Sequence, residues 1–485
     1  MKRYEQFADE IEALIGSGGL RPGDKLPSVR QASASRQISP STVFQAYYLL
    51  EARGRIQARP RSGYFVAAGQ KRGPPGPPGP RSPLNPAPPA TPSAATPAPT
   101  STAVQINDLV FEVLGSIRQQ EVVPLGSAFP SPHLFPLARL ARSLGTGMRQ
   151  LHPSRIARDL SPGSPTLRRQ LGLRYVVDGL HVDTDEIVIT NGAMEALNLC
   201  LQAVTEPGDV VAVESPTFYA ALQALERLKL KAVEVATHPR DGVDLASLAS
   251  VLERHPVKAC WFMPNFQNPL GCLMPDANKR ALVEMLAARE LPLIEDDVYG
   301  ELYFGATKPP PAKAFDRLGL VMHCSSFSKC LAPGYRVGWV AAGRFAQRIE
   351  RLKLMTTLSA AVPSQEGLSH YLAHGGYDKH LRQLRRALAT QQALALTAVS
   401  RHFPNGTRVT QPEGGYFLWL ELPAAVDALQ LHRLALAQNI SLAPGHLFSA
   451  DRRFSNCIRI NCGHPDDARF DAAMRTVGQL ACSLA

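Results

Sequence analysis

The run Ser325-Ser-Phe-Ser-Lys329-Cys-Leu-Ala-Pro-Gly-Tyr-Arg336-Val-Gly-Trp339 sets one lysine among hydroxyls and places an arginine a short way beyond it. A lysine amine condenses reversibly with a carbonyl, so Lys329 is a candidate for covalent chemistry. Ser326-x-x-Lys329 also has the S-x-x-K spacing of penicillin-binding enzymes. Those enzymes need S-D-N and K-T-G as well, and neither occurs in the chain. Thr190-Asn-Gly192-Ala193-Met194-Glu195 brings small residues to a point where an apolar run gives way to a helical one. Backbone N–H groups exposed there suit a phosphate, although any strand-to-helix turn has this look. Glu295-Asp296-Asp297 closes another apolar run. An acidic pair can hold a metal, but no third ligand or histidine pattern accompanies it.

The elements that must position these residues follow from periodicity. Short apolar runs at Ile187–Thr190, Val210–Val213, Ala232–Val235, Ala259–Phe262, Leu291–Ile294, Val321–His323 and Gly338–Ala341 alternate with helical stretches. That alternation predicts an α/β domain: a mostly parallel sheet with helices on both faces. Beyond about Arg348 the pattern becomes helix-rich, with strands near Gly415–Leu422 and Cys457–Asn461, which predicts a smaller second lobe.

In this setting the lysine run resembles that of fold-type I pyridoxal 5'-phosphate enzymes, whose lysine condenses with the cofactor aldehyde. The resemblance implies that Ser326 and Arg336 bind the phosphate together with Gly192, Ala193 and Met194. Glu214-Ser-Pro-Thr-Phe218-Tyr219 is similar to the family's turn with a stacking aromatic. Phe218 aligns best with that ring; Tyr219 is the alternative, and either could be ordinary core. Asn265-Phe-Gln-Asn268-Pro-Leu-Gly271 resembles the N-P-x-G that places an asparagine on the cofactor's phenolic oxygen. Tyr299 would reach the same oxygen, and Asp296 would pair with the pyridine nitrogen. Arg459, in Asn456-Cys-Ile-Arg459-Ile-Asn461, matches the arginine that binds a substrate carboxylate; the alternative is a structural salt bridge. The family's active enzymes often carry a tyrosine before a Pro-x-Gly-like turn. The corresponding Leu160-Ser-Pro-Gly-Ser164 has none, which puts efficient transamination in doubt.

The N-terminal part reads differently. Residues 1–72 hold twelve Lys/Arg against six Asp/Glu, a balance of +6 out of a total of +11. A basic head on a nearly neutral body points to nucleic acid, or to a solvated basic face. Tyr4, Phe7, Ile11, Leu14 and Ile15 have helical spacing, Ser28 to Arg36 could form a second helix, and Ser39 precedes a third that ends before Gly54. Gln57 to Val66 reads as a hairpin. Three helices and a hairpin outline a winged helix-turn-helix, mostly α with a small β wing. Leu20-Arg-Pro-Gly-Asp-Lys-Leu-Pro-Ser-Val-Arg30, Ile38-Ser-Pro-Ser-Thr-Val43 and Gly63-Tyr-Phe-Val66 resemble the GntR type of this domain. The resemblance implies that Arg30, Ser39, Ser41 and Thr42 lie at the DNA surface, and Arg59, Arg61, Ser62 and Gly63 on the wing. Ser39 could also be a helix cap alone. Where the family usually has Leu-Ala, this chain has Ala32-Ser33, which trims the core.

Residues 74–99 contain twelve of the 41 prolines, so 67–104 reads as a semi-rigid linker. The predicted division is 1–66, the DNA-binding domain; 67–104, the linker; and 105–485, the cofactor domain. Within the last, a large lobe covers about 150–350, and a small lobe 351–485 with 105–149. Eight scattered cysteines without C-x-x-C spacing predict reduced, mostly buried thiols in a cytoplasmic protein. No long apolar run predicts a membrane span, and Asp9, Glu10 and Glu12 exclude a signal peptide. Head, proline-rich linker and fold-type I body together resemble the MocR subfamily of GntR regulators. That implies a homodimer on a DNA operator, responding to an amino acid, an amine or the cofactor itself. The alternative is a working aminotransferase with an appended head.

Overall fold

A computed structural model describes residues 3–16, 22–24, 26, 29, 32–33, 38–59, 63–67, 101–104, 110–111, 115, 121–156, 158, 160–374 and 376–485. Most of the predicted second helix and most of the linker lie outside the described residues. The chain divides into two compact units, a smaller one with the N-terminal helices and hairpin and a larger one with the main sheet. No helix among the described residues is long and apolar enough to cross a membrane.

In the smaller unit, the helix Arg3–Gly16 buries Tyr4, Phe7, Ala8 and Ile11, the stripe that a 3.6-residue period puts on one face. The helix Pro40–Ala52 starts with proline in its first turn, where no N–H is missed. Ser39 caps it: the hydroxyl accepts from the Thr42 N–H at 3.2 Å. Val43, Ala46, Tyr47 and Leu50 face the first helix, and Ala32 joins this core. Strands β1 (Ile56–Arg59) and β2 (Gly63–Val66) pair antiparallel, Ile56 opposite Val66. Arg53 bonds Asp9 and Glu12, and Arg55 bonds Glu12, so these two arginines tie the helices together.

The larger unit holds a nine-stranded sheet. Its strands are β3 (Thr102–Ala103), β4 (Ile187–Thr190), β5 (Val210–Ser215), β6 (Lys231–His238), β7 (Gly242–Val243), β8 (Val257–Phe262), β9 (Leu293–Asp296), β10 (Val321–Ser326) and β11 (Gly338–Ala341). The order is β3-β6-β5-β8-β9-β10-β11-β4, with β7 beside β6. Strands β6, β5, β8, β9 and β10 are parallel, and β4 runs their way because two antiparallel steps, β10 to β11 and β11 to β4, restore the direction. The continuous apolar run of β5 is buried on both sides, as a covered parallel sheet requires. Val210 and Ala212 meet the helices Leu245–Arg254 and Asp276–Ala287, while Val211 and Val213 point to the opposite face. β11 runs against its neighbour because residues 327–337 are too few for a crossover helix.

A second, antiparallel sheet joins β12 (Arg408–Val409), β13 (Phe417–Glu421), β14 (Ala443–Pro444) and β15 (Cys457–Asn461) in the order β12-β13-β15-β14. Leu418, Leu420, Ile458 and Ile460 pack on the helices Tyr377–His402, Ala428–Leu436 and Phe470–Leu484. Val123 and Leu125, far earlier in the chain, fill the same core. Strand alternation then turns Arg459 and Asn461 the other way.

Candidate cofactor and ligand site

Five residues singled out in the large lobe sit at or beyond the C-terminal end of a co-directional strand. Gly192 follows β4, Phe218 follows β5, Asn268 follows β8, Asp296 ends β9 and Lys329 follows β10. This is where α/β sheets bind ligands, because the loops there converge at one edge. Cys324 of β10 pairs in register with Asp296, which brings Lys329 and Asp296 to neighbouring strand ends.

The Lys329 amine donates to the Ala128 carbonyl at 2.7 Å and lies 3.8 Å from the centre of the Phe129 ring. Burial, and then the Arg459 charge, push its pKa down to about 7. Asp296 is buried, and burial followed by the Asp297 charge lifts its carboxyl to about 7. Behind it, Asp297 Oδ2 lies 3.0 Å from His323 Nε2, and Asp297 Oδ1 accepts from Asn265 at 3.2 Å. Tyr299 packs edge-on against Tyr416 and Phe417, and burial raises its hydroxyl pKa.

Gly192 caps the helix Ala193–Val204 with no side-chain bond and a φ of +84°. A Cβ there would fall 2.4 Å from Arg336 Nη2. Arg336, itself left-handed at φ +51°, donates to the Ser328 hydroxyl and the Asn191 carbonyl, both at 3.2 Å. Ser326 ends β10, and Ala193 and Met194 open the helix that follows Gly192. Phe218 and Tyr219 form a tilted pair 4.9 Å apart; Tyr219 is buried edge-on to Phe448, while Phe218 is half-buried at the start of its helix.

Arg459 is fully buried. It donates to Asn268 Oδ1 at 3.0 Å and to the carbonyls of Gly126 and Ser127 at 2.7 and 3.1 Å. The Phe417 ring lies under its guanidinium. Asn461 holds the same segment through the carbonyls of Ser127 and Phe129. Sequence reasoning missed the segment 126–129, Tyr416 and the Asp297–His323 pair. Arg459 makes no ion pair among the described residues.

In the head, Ser39 and Thr42 hydroxyls bond each other at 2.8 Å. Ser41 lies in the same helix, and Arg59 and Gly63 face each other across the hairpin. Arg30, Arg61 and Ser62 lie outside the described residues, as do the side chains of Ser41 and Arg59.

Residues 160–477 match the aminotransferase class I and II family, and residues 3–66 match the gntR family of bacterial regulatory proteins. The chain belongs to the aminotransferase class I and II family and carries a GntR-type domain at its N-terminal end. Over 99% of both chains it is 48% identical to YdcR of Escherichia coli K12, described as an uncharacterised HTH-type transcriptional regulator. YjiR of the same organism, described likewise, is 36% identical over 99% of this chain and 98% of its own. Among solved structures, Pyrococcus horikoshii kynurenine aminotransferase is 28% identical, with a TM-score of 0.72 over 77% of this chain and 94% of that one. The α-aminoadipate aminotransferase LysN of Thermus thermophilus is also 28% identical, with a TM-score of 0.69 over 79% and 99%.

This GntR-type helix-turn-helix protein with an aminotransferase-like domain thus carries a fold whose cofactor is pyridoxal 5'-phosphate. The site suits that group. Asp296 Oδ1 and Asn268 Nδ2 are buried without partners among the described residues, one an acceptor suited to a ring nitrogen and the other a donor suited to a ring oxygen. The helix N-terminus at Gly192, which has no side-chain cap, and the Arg336 fork would supply donors to a phosphate.

Proposed function

We propose that the chain is a cytoplasmic, MocR-type transcriptional regulator that binds pyridoxal phosphate on Lys329 and senses an amino acid, an amine or the cofactor itself. The observation that carries this is the pairing, in one chain, of a GntR-type head with an intact lysine site. Gly192, Ala193, Met194, Ser326 and Arg336 hold the phosphate. Phe218 covers the ring, with Tyr219 the alternative. Asn268 and Tyr299 take the phenolic oxygen, Asp296 the ring nitrogen, and Arg459 a ligand carboxylate. The cofactor supplies an aldehyde that reacts with amines and a ring that withdraws electrons. Burial keeps Lys329 near neutrality, so its amine is available to the aldehyde. A ligand amine competes with Lys329, and the changed contacts bias one domain arrangement over another.

Arg30, Ser39, Ser41, Thr42, Arg59, Arg61, Ser62 and Gly63 form the DNA surface. A homodimer gives two heads for two half-sites. In support, Ile156 (58%), Met355 (73%) and Leu358 (58%) are large apolar side chains left exposed, and Ser161 N bonds the Leu358 carbonyl, which joins their segments.

Purified protein is expected to be yellow, and Lys329→Ala to lose that bound form; a colourless wild-type chain with added cofactor overturns the site assignment. DNA from its own upstream region is expected to be retarded, and Arg30→Ala to abolish this. Failure to bind any genomic DNA removes the regulator reading. Steady transamination at ~1 per second or faster would instead favour an enzyme.

A further inference from the structure

A fully buried guanidinium normally faces an acid, because an unpaired charge in the interior is costly. Arg459 faces none among the described residues: its three acceptors are neutral, and its Nε has no partner. Two of those acceptors belong to one short stretch of chain, Gly126 and Ser127. The next residue, Ala128, gives its carbonyl to Lys329 at 2.7 Å and to the Tyr416 hydroxyl at 3.0 Å. Phe129 then lays its ring over the Lys329 amine. Four consecutive residues therefore occupy Arg459 and Lys329 together. The close approach has a cost in sequence freedom: a Cβ on Gly126 would meet the Leu442 carbonyl at 2.5 Å.

We propose that Gly126–Phe129 is a strap that occupies the carboxylate subsite, and that a ligand is recognised by exchanging its carboxylate for the Gly126 and Ser127 carbonyls on Arg459. This rests on the sensing reading above and narrows it: the effector is an α-amino acid and not a bare amine. A carboxylate brings a full negative charge and a two-oxygen fit to the guanidinium fork, neither of which two neutral carbonyls offer, so it displaces them from an arginine. An amine without a carboxylate reaches Lys329 but leaves the strap on Arg459. Strap release is then the first conformational consequence of binding. Asn461, which grips Ser127 and Phe129 from outside the Arg459 contact, sets how readily the strap lets go.

The test uses the full chain loaded with pyridoxal phosphate, titrated with 3-phenylpropionate, L-phenylalanine and 2-phenylethylamine, probes whose ring suits the aromatic walls. Amide hydrogen exchange is followed across residues 121–131. The acid and the amino acid are expected to speed exchange at 126–129 about fivefold or more, and the amine to leave it unchanged. Asn461→Ala is expected to lower the Kd for 3-phenylpropionate about tenfold, and the milder Tyr416→Phe about threefold, because each removes strap bonds and leaves Arg459 intact. Unchanged or weaker binding in folded Tyr416→Phe and Asn461→Ala overturns the strap. So does equal strap release by 2-phenylethylamine, although ligand sensing then stands. If no probe binds even at millimolar concentration, the sensing reading falls and the strap proposal with it.

Discussion

Lys329 and Asp296 share one low-dielectric corner, and both are pushed toward their neutral forms near pH 7. For the lysine, burial lowers the pKa, so the reactive amine is present above about 7 and protonated below it. The rate at which the apoprotein takes up pyridoxal phosphate should therefore rise between about pH 6 and about pH 8 and level off above. Stopped-flow absorbance measures it; a rate still climbing steeply beyond pH 9 would show an ordinary lysine. Lys329, Asn268, Asp296, Arg336 and Arg459 could all be picked out in the sequence, since their chemistry demands particular side chains in particular local runs. The strap could not, because it acts through backbone carbonyls, which every residue type carries. Gly126 is its one trace, and an isolated glycine has many possible causes.

Among the elements, the turn from β4 into its helix has the least latitude. Gly192→Ala combines a positive φ with a Cβ 2.4 Å from Arg336. Backbone strain of about 1–3 kcal/mol and a displaced guanidinium are expected to weaken cofactor binding at least about tenfold, read by fluorescence titration, while the fold survives. Ser39 has two readings that one substitution pair separates. Ser39→Ala removes the cap and should cost about 1 kcal/mol of head stability. Ser39→Asp keeps the cap yet sets a negative charge against phosphate; intact thermal unfolding with weakened operator binding would place this residue at the DNA, and unchanged binding would leave it a cap. Strand positions such as Ile187–Thr190 and Gly338–Ala341 follow directly from their apolar runs. Strand direction does not: the reversal of β11 depends on the length of the loop before it, not on hydropathy.

At the scale of the whole molecule, the exposed Met355 and Leu358 predict the assembly. Replacing both with lysine should convert a dimer to monomers in sedimentation velocity, with retarded DNA lost in parallel; an unchanged sedimentation coefficient would move the interface elsewhere. The charge division, +6 on residues 1–72, was visible in composition alone. One small element also has a mechanical meaning. Thr102 and Ala103 of β3 make only two rungs against Ala232 and Lys231 at the edge of the large sheet. They are the first sheet rungs among the described residues after the proline-rich stretch, and they lie within the span 67–104 that the sequence assigned to a linker. So short an edge strand is held by few hydrogen bonds, and it is expected to open before the long buried strands that carry the lysine site; amide exchange faster at 102–103 than in β5 is the measurement that checks it.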